Sequence, residues 1–167
     1  MNAVNDRHAH AAELLSAHPD FRVQRRLMPV TTFHEAVPFV PNRIGVAIDV
    51  ETTGLNHDAD RIIELAMQRF RFDARGRIIQ VGTPRVWRED PTVPLDPRIT
   101  MLTGLTEEDV AGQAIDDTAA VDILASADII VAHNAAFDRP FIDRRLPGVA
   151  GKPWACSMAE LDWLGLG

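Results

Sequence analysis

Asp49 and Glu51 stand two residues apart at the end of an apolar run, Ile44-Gly45-Val46-Ala47-Ile48, and directly before a turn, Thr52-Thr53-Gly54-Leu55. On an extended backbone that spacing sends both side chains to one face. Two oxygen ligands converging in this way suit a hard divalent cation such as Mg²⁺ or Mn²⁺. The pair by itself says little, because acids are common and chance supplies an Asp-x-Glu in a chain of this size about as often as not. Its setting says more: a turn after a buried strand holds carboxylates at a sheet edge, where ligands sit in open α/β sheets. A third carboxylate, Asp138, follows a second apolar run, Ile129 to Ala132, and the polar pair His133-Asn134. His8, His10 and His18 belong to a polar N-terminal stretch, where exposed histidines as a rule bind no metal.

The elements that must carry these residues follow from patterning. Ile44, Val46 and Ile48 alternate with smaller residues, which predicts a strand ending at the turn. Arg61 to Phe72 and Arg77 to Arg88 flank Asp73-Ala74-Arg75-Gly76 and read as an antiparallel hairpin, so that the first three strands form a meander. Pro97 to Leu102 is expected as a short helix, and Thr106 as the N-cap of another whose first turn is acidic. Asp116 to Ala127 suits an amphipathic helix. Ile129 to Ala132 is expected as a central strand parallel to the first, because a helical crossover precedes it. Ala135 to Arg145 reads as a helix with Pro140 tolerable only in its first turn, Trp154 to Cys156 as a short strand, and Ser157 to Leu164 as the start of a last helix. Residues 1–42, a helix over Met1 to Ala17 and an extended arm over Phe21 to Val30, are too few to hold a core and are taken as an extension of a domain spanning 43–167.

Composition limits the classes of function. With 167 residues, 46% of them hydrophobic and 25% charged, the chain can bury one ordinary core. No run approaches a membrane span and Met1 to His10 lacks the regions of a signal peptide, so no membrane is expected and the cytoplasm is the default location. A single cysteine, Cys156, excludes an internal disulfide and a multi-thiolate site within one chain. A net charge of -7 argues against broad adhesion to nucleic acid, though not against an enzyme that holds a short strand. Between Arg61 and Arg88 seven arginines face two acids, a locally basic surface that serves equally as the solvated face of two strands or as a phosphate track.

Three stretches together resemble a known family. Asp49-Val50-Glu51-Thr52-Thr53-Gly54-Leu55, Leu102-Thr103-Gly104-Leu105-Thr106-Glu107-Glu108-Asp109-Val110 and Val131-Ala132-His133-Asn134-Ala135-Ala136-Phe137-Asp138 are similar to the motifs of the DEDD superfamily of 3′-to-5′ exonucleases. The match is nearest its DEDDh branch, which includes the proofreading epsilon subunit of bacterial replicative polymerases and ribonuclease T. The resemblance implies an α/β, ribonuclease H-like fold, with a mixed sheet of about five strands. It also implies two-metal phosphodiester hydrolysis at the 3′ end of single-stranded DNA or RNA, with two Mg²⁺ or Mn²⁺ ions per site. In that family's pattern Asp49 and Glu51 ligate metal directly and Asp138 helps to hold the second ion. Thr52, Thr53, Gly54, Leu55, Leu102, Thr103, His133, Asn134 and Phe137 hold the terminal nucleotide, for which an apolar or aromatic face at Leu55 or Phe137 accepts any base. A polymerase or another replication protein is the partner class implied; oligomeric state is not read from the sequence.

The sequence departs from the family in one respect. The DEDDh pattern has a third motif, a histidine followed five residues later by an aspartate, in which the histidine is the general base. After Asp138 the only acids are Asp143, Glu160 and Asp162, and no histidine follows His133. The expectation is an exonuclease domain truncated before its C-terminal helix and weak or inactive alone; the alternative is a non-catalytic nucleic-acid or protein-binding module on the same fold.

Overall fold

The computed structural model describes residues 3–24, 33–35 and 41–165. The chain divides into two compact units, Met1–Thr32 and Phe33–Gly167. The first contains helix α1 (Ala3–Ser16), after which His18 and Phe21 meet edge to face, ring centroids 5.3 Å apart. Of the arm expected over Phe21 to Val30, Phe21 to Gln24 has no regular structure and the rest lies outside the described residues.

The second unit is built on a six-stranded mixed sheet: β1 (Arg43–Thr52), β2 (Ile62–Phe72), β3 (Ile78–Val81), β4 (Arg85–Arg88), β5 (Ile129–Ala132) and β6 (Trp154–Cys156). The order is β3-β2-β1-β5-β6, with β4 also pairing β2. β1 is antiparallel to β2 and parallel to β5, and β5 is parallel to β6. This is the α/β architecture with a mixed sheet that the motifs imply. The hairpin is the exception. Arg77 to Arg88 is not one strand: it breaks at Gly82-Thr83-Pro84, and β3 pairs the C-terminal half of β2 while β4 pairs the N-terminal half. Pro84 cannot donate to a ladder, so one continuous strand was not available to this segment.

Period-two burial on β1 separates structure from chemistry. Val46, Ile48, Val50 and Thr52 are buried, whereas Ala47 and Asp49 are exposed and Glu51 is half-buried. The buried set joins Leu65 and Met67 of β2, Ile130 of β5, Ala120 and Leu124 of α4 (Asp117–Ala125), and Phe141 and Ile142 of α5 (Ala135–Arg145) in the main core. A second, smaller cluster of Ile63, Leu95, Leu105 and Val110, with Ile99 against it, anchors α2 (Pro97–Thr103) and α3 (Glu107–Val110). Both short helices are well capped. Asp96 accepts from the Arg98 N–H, Pro97 opens α2, and Gly104 closes it at φ 78°, in the left-handed region that glycine enters without strain. Thr106 and Asp109 form the reciprocal capping box of α3.

Two helix expectations need correction. Pro140 lies in the second turn of α5, not the first, so the Ala136 carbonyl has no N–H to accept; the packing of Phe141 and Ile142 keeps the helix intact across it. The last helix, α6, runs only from Ser157 to Glu160 before Leu161 turns extended. No helix of the described residues is long and apolar enough to cross a membrane.

Candidate active site

The exit of β1 sets the geometry. Asp49 and Glu51 leave the strand on the face away from the core, and a register shift between Glu51 and Thr52 bends the chain into the following loop. That loop is tied by side chains. Thr52 Oγ1 donates to the Gly54 carbonyl (2.6 Å), Thr53 Oγ1 to Asp60 Oδ1 (3.1 Å), and the Asn56 N–H to Asp60 Oδ2 (2.8 Å). Gly54 is required for close approach, since a Cβ there would lie 2.5 Å from Asp60 Oδ2.

Asp138 reaches β1 from the first turn of α5. It is 2% exposed, and its Oδ1 accepts the Val50 N–H at 3.1 Å, between the two acids of the strand. Burial pushes its carboxyl up to about 6; the Val50 N–H partly offsets this, and the charges of Asp49 and Glu51 add to it. Asp49 is raised by lost hydration first and by the charge of Glu64 second, while His133 opposes both. Glu51 is raised by burial, then by Asp49 and Glu64. Burial and mutual repulsion therefore hold three carboxylates, Asp49, Glu51 and Asp138, above their ordinary range.

Glu64 is the member that sequence reasoning missed. It stands on β2 directly across from Glu51, and Arg88 Nε donates to it at 2.9 Å while Arg88 Nη1 donates to Asp109 at 2.9 Å. The Arg88 bridge thereby ties the wall carrying Glu64 to the α3 cap. Only knowledge of the strand register could have placed Glu64 opposite Glu51.

Beside the acids opens a cleft of about 440 Å³. Glu51, Thr52, Thr53, Gly54 and Leu55 line it from β1 and its loop, Leu102 and Thr103 from α2, and Phe137 from α5. Leu55, Leu102 and the neighbouring Met101 are 84%, 80% and 81% exposed, so the cleft has apolar side chains held out in solvent rather than packed. Asp96, Arg98 and Ile99 also line it and were not anticipated; Arg98 and Ile99 lie in the short helix expected there, and Asp96 is its N-cap. His133 and Asn134 are outside the cleft. His133 Nδ1 lies 3.1 Å from Ser157 Oγ with its ring against Trp163, and Asn134 precedes α5 in the left-handed conformation at φ 69°.

The family model described as Exonuclease, RNase_T, matches residues 46–159, more than half of the chain and both of its acidic motifs. The chain belongs to this exonuclease family. Curated relatives within reach of the exonuclease match are PolC-type DNA polymerase III proteins. That of Clostridium perfringens is 35% identical over 103 residues, 60% of this chain and 7% of the relative, and that of Listeria innocua is 39% identical over 97 residues, 57% of this chain and 6% of the relative. The chain thus spans less than a tenth of the length of either. Among solved structures, E. coli Exonuclease I in complex with a 5cy-dA13 oligonucleotide superposes with a TM-score of 0.53 at 19% identity, over 69% of this chain and 28% of that one. This exonuclease-family membership and fold agree with the DEDD resemblance drawn from the motifs.

A divalent cation fits the donor chemistry of the site. The donors are all carboxylate oxygens, the kind hard cations prefer, and Asp49, Glu51 and Asp138 are each destabilised as anions by burial first and by their neighbours second. Among the described residues no three His, Cys, Asp or Glu side chains form a closed cage. Mg²⁺ does not call for one, because it is commonly held by one or two carboxylates together with waters and substrate phosphates.

Proposed function

We propose that this exonuclease-family chain carries the site of a metal-dependent 3′-to-5′ exonuclease that releases nucleotides from single-stranded DNA or RNA. The observation that supports this reading is the meeting of Asp138 with β1 between Asp49 and Glu51, beside a cleft that Glu51, alone of the three acids, lines together with Leu55, Leu102, Thr103 and Phe137. Asp49 and Glu51 would hold Mg²⁺ or Mn²⁺ directly, and Asp138 would complete the second of two sites. Bound there, the ions supply Lewis acidity to the scissile phosphate, a lowered pKa to the attacking water and charge balance to the leaving 3′ oxygen.

The residues of the chain do the rest. Leu55 and Leu102 grip the terminal base from opposite sides, and Phe137 offers it a ring face. Thr52, Thr53 and Thr103 line the polar part of the cleft beside the sugar. The side chain of Asp60, by holding Thr53 and Asn56, keeps Gly54 and Leu55 in place under the substrate.

The general base is not supplied by the acids after Asp138. Asp143 pairs with Arg139, Glu160 accepts the Cys156 N–H, and Asp162 accepts the Gly165 N–H. We infer that the chain holds part of a catalytic site and cleaves weakly or not at all alone, the PolC-type relatives pointing to a polymerase or another replication protein as the setting of the whole. The same absence favours a second reading, a non-catalytic module that grips a 3′ end.

The test is hydrolysis of a 5′-labelled single-stranded oligonucleotide with Mn²⁺ or Mg²⁺, beside Asp49→Ala. The expected result is metal binding that depends on Asp49 and Glu51, with slow or absent shortening that a longer parent chain restores. Shortening by the isolated chain that Asp49→Ala abolishes would require a base within it, and His133, close enough to influence Asp49, is first in line. Metal and strand binding with no cleavage by any longer form would sink the enzymatic reading in favour of the module.

A further inference from the structure

A second cavity, of about 260 Å³, lies where the end of α5 faces the start of β2, and nothing in the exonuclease reading uses it. Its lining is basic: Arg61, Arg144 and Arg145 against a single acid, Glu89, with Ile62 and Phe141 as its apolar walls. The acid is already spent. Arg145 forks onto both oxygens of Glu89, Nη1 donating to Oε1 at 2.5 Å and Nη2 to Oε2, and its Nε donates to Asp117 at 3.1 Å.

The other two guanidiniums are held by neutral acceptors instead. Arg61 Nη1 donates to the Pro91 carbonyl at 3.1 Å and to Thr92 Oγ1 at 3.0 Å. Arg144 Nη2 donates to the Asp60 carbonyl, and its carbon lies 5.7 Å from the centroid of the Phe141 ring. Carbonyls and a ring fix the direction of a guanidinium without cancelling its charge. Neither arginine has a carboxylate partner among the described residues, and both are exposed at the cavity, in a protein whose net charge is -7.

We infer that this cavity is an anion site that takes a phosphate group, received by the unspent N–H donors of Arg61 and Arg144. Planar forks of this kind match phosphate oxygens in pairs. The site adjoins the cleft without sharing its side chains. Arg61 exchanges backbone contacts with Thr53, its N–H donating to Thr53 Oγ1 (3.0 Å) and its carbonyl accepting the Thr53 N–H (2.9 Å), while the Phe141 ring lies 5.2 Å from that of Phe137. One helical turn of α5 therefore separates the two. The phosphate belongs either to the backbone of a strand whose end lies in the cleft or to a free phosphate monoester, and the site does not depend on the enzymatic reading.

The test follows the arginine Nε–H signals of the full chain by NMR, metal-free and at constant ionic strength, during titration with inorganic phosphate, 5′-AMP and single strands of two and twelve nucleotides. The expected result is movement of the Arg61 and Arg144 signals, and at least about tenfold weaker binding in Arg144→Gln but not in Arg139→Gln, whose side chain pairs with Asp143 away from the cavity. Equal binding of phosphate and 5′-AMP with no gain from strand length assigns a free monoester; a gain confined to the longer strand, lost in Arg144→Gln, assigns the backbone. Stationary signals with every probe, or unchanged binding in both Arg144→Gln and Arg61→Gln, would overturn the site. Because the wild-type signals are read directly, a folding defect in Arg61→Gln does not obscure the answer.

Discussion

Asp138 and Asp73 are equally hidden, each 2% exposed, and their carboxyls are driven in opposite directions. Asp73, in the turn between β2 and β3, accepts the N–H groups of Arg75 (2.9 Å) and Arg77 (3.0 Å) and the Nε of Arg77 (2.8 Å), and these hold its carboxyl below the usual range. Asp138 accepts the Val50 N–H, but burial first and the charges of Asp49 and Glu51 after it raise its carboxyl to about 6. Exposure is the same, but lost hydration dominates at Asp138, whereas at Asp73, on a surface turn, the donors of Arg77 outweigh it. A buried carboxylate supplied with donors and a cation is a fastener, whereas one supplied with other carboxylates is a vacancy for positive charge, maintained at the expense of the fold.

The largest expected contrast is in stability. Replacing Asp138 by Asn keeps an acceptor for Val50 and removes a charge the fold resists, so the metal-free protein becomes more stable at pH 7, by up to about 3 kcal/mol for a shift of roughly two pKa units. Asp73→Asn goes the other way, lowering the melting midpoint because Arg77 loses its partner. The pH dependence separates them further. With its folded pKa raised, Asp138 contributes stability that is complete below about pH 4 and is lost as pH rises through about 6, so the advantage of Asp138→Asn vanishes in acid. Asp73, with its folded pKa lowered, contributes stability present above about pH 4 and lost as pH falls below it. Chemical denaturation of both variants at pH 4 and 7 measures this, and equal signs for the two at pH 7 would break the comparison.

Next in size is metal affinity. Asp49→Ala should weaken Mn²⁺ binding by about a hundredfold, read by calorimetry, since even supporting residues of metal sites cost tenfold or more, while Asp73→Asn should leave it within error. Smaller again, Mn²⁺ at ten times its dissociation constant should stabilise the wild type by about 1.4 kcal/mol and Asp138→Asn by less, seen as a shift in melting midpoint. The smallest effect is expected for Arg77→Gln, which leaves Asp73 its two backbone donors: a lowered midpoint, less than in Asp73→Asn, with metal binding untouched.

Much of this contrast was legible in the chain and some was not. The shared face of Asp49 and Glu51 follows from the two-residue period of a strand, and Asp138 from its position after the second apolar run, because both are local patterns. Glu64 was hidden because, although β1 and β2 were expected to be neighbours, its place opposite Glu51 depends on their exact register, with a shift between Glu51 and Thr52 that no local signal announces. Pro84 did announce the break in the hairpin, but the apolar residues on either side of it read as continuous. His133 and Asn134 carry the motif without lining the cleft, for a motif records neighbours along the chain, whereas the ring of His133 lies beside Ser157 and Trp163 and only Phe137, in the first turn of α5, reaches the cleft. The two guanidiniums beside Phe141 come from positions 61 and 144, far apart along the chain, and only folding brings them to one cavity.

The broken hairpin has a consequence for the company the chain keeps. The borders of the described sheet are β3 and β4, of four residues each, and β6, of three. Borders that short, one interrupted by a proline, offer little template for strand addition, the route by which sheets fuse into dimers and fibrils. Crowded against identical copies, or translated beside other sheet-bearing domains, this unit has few rungs on which a foreign strand can climb.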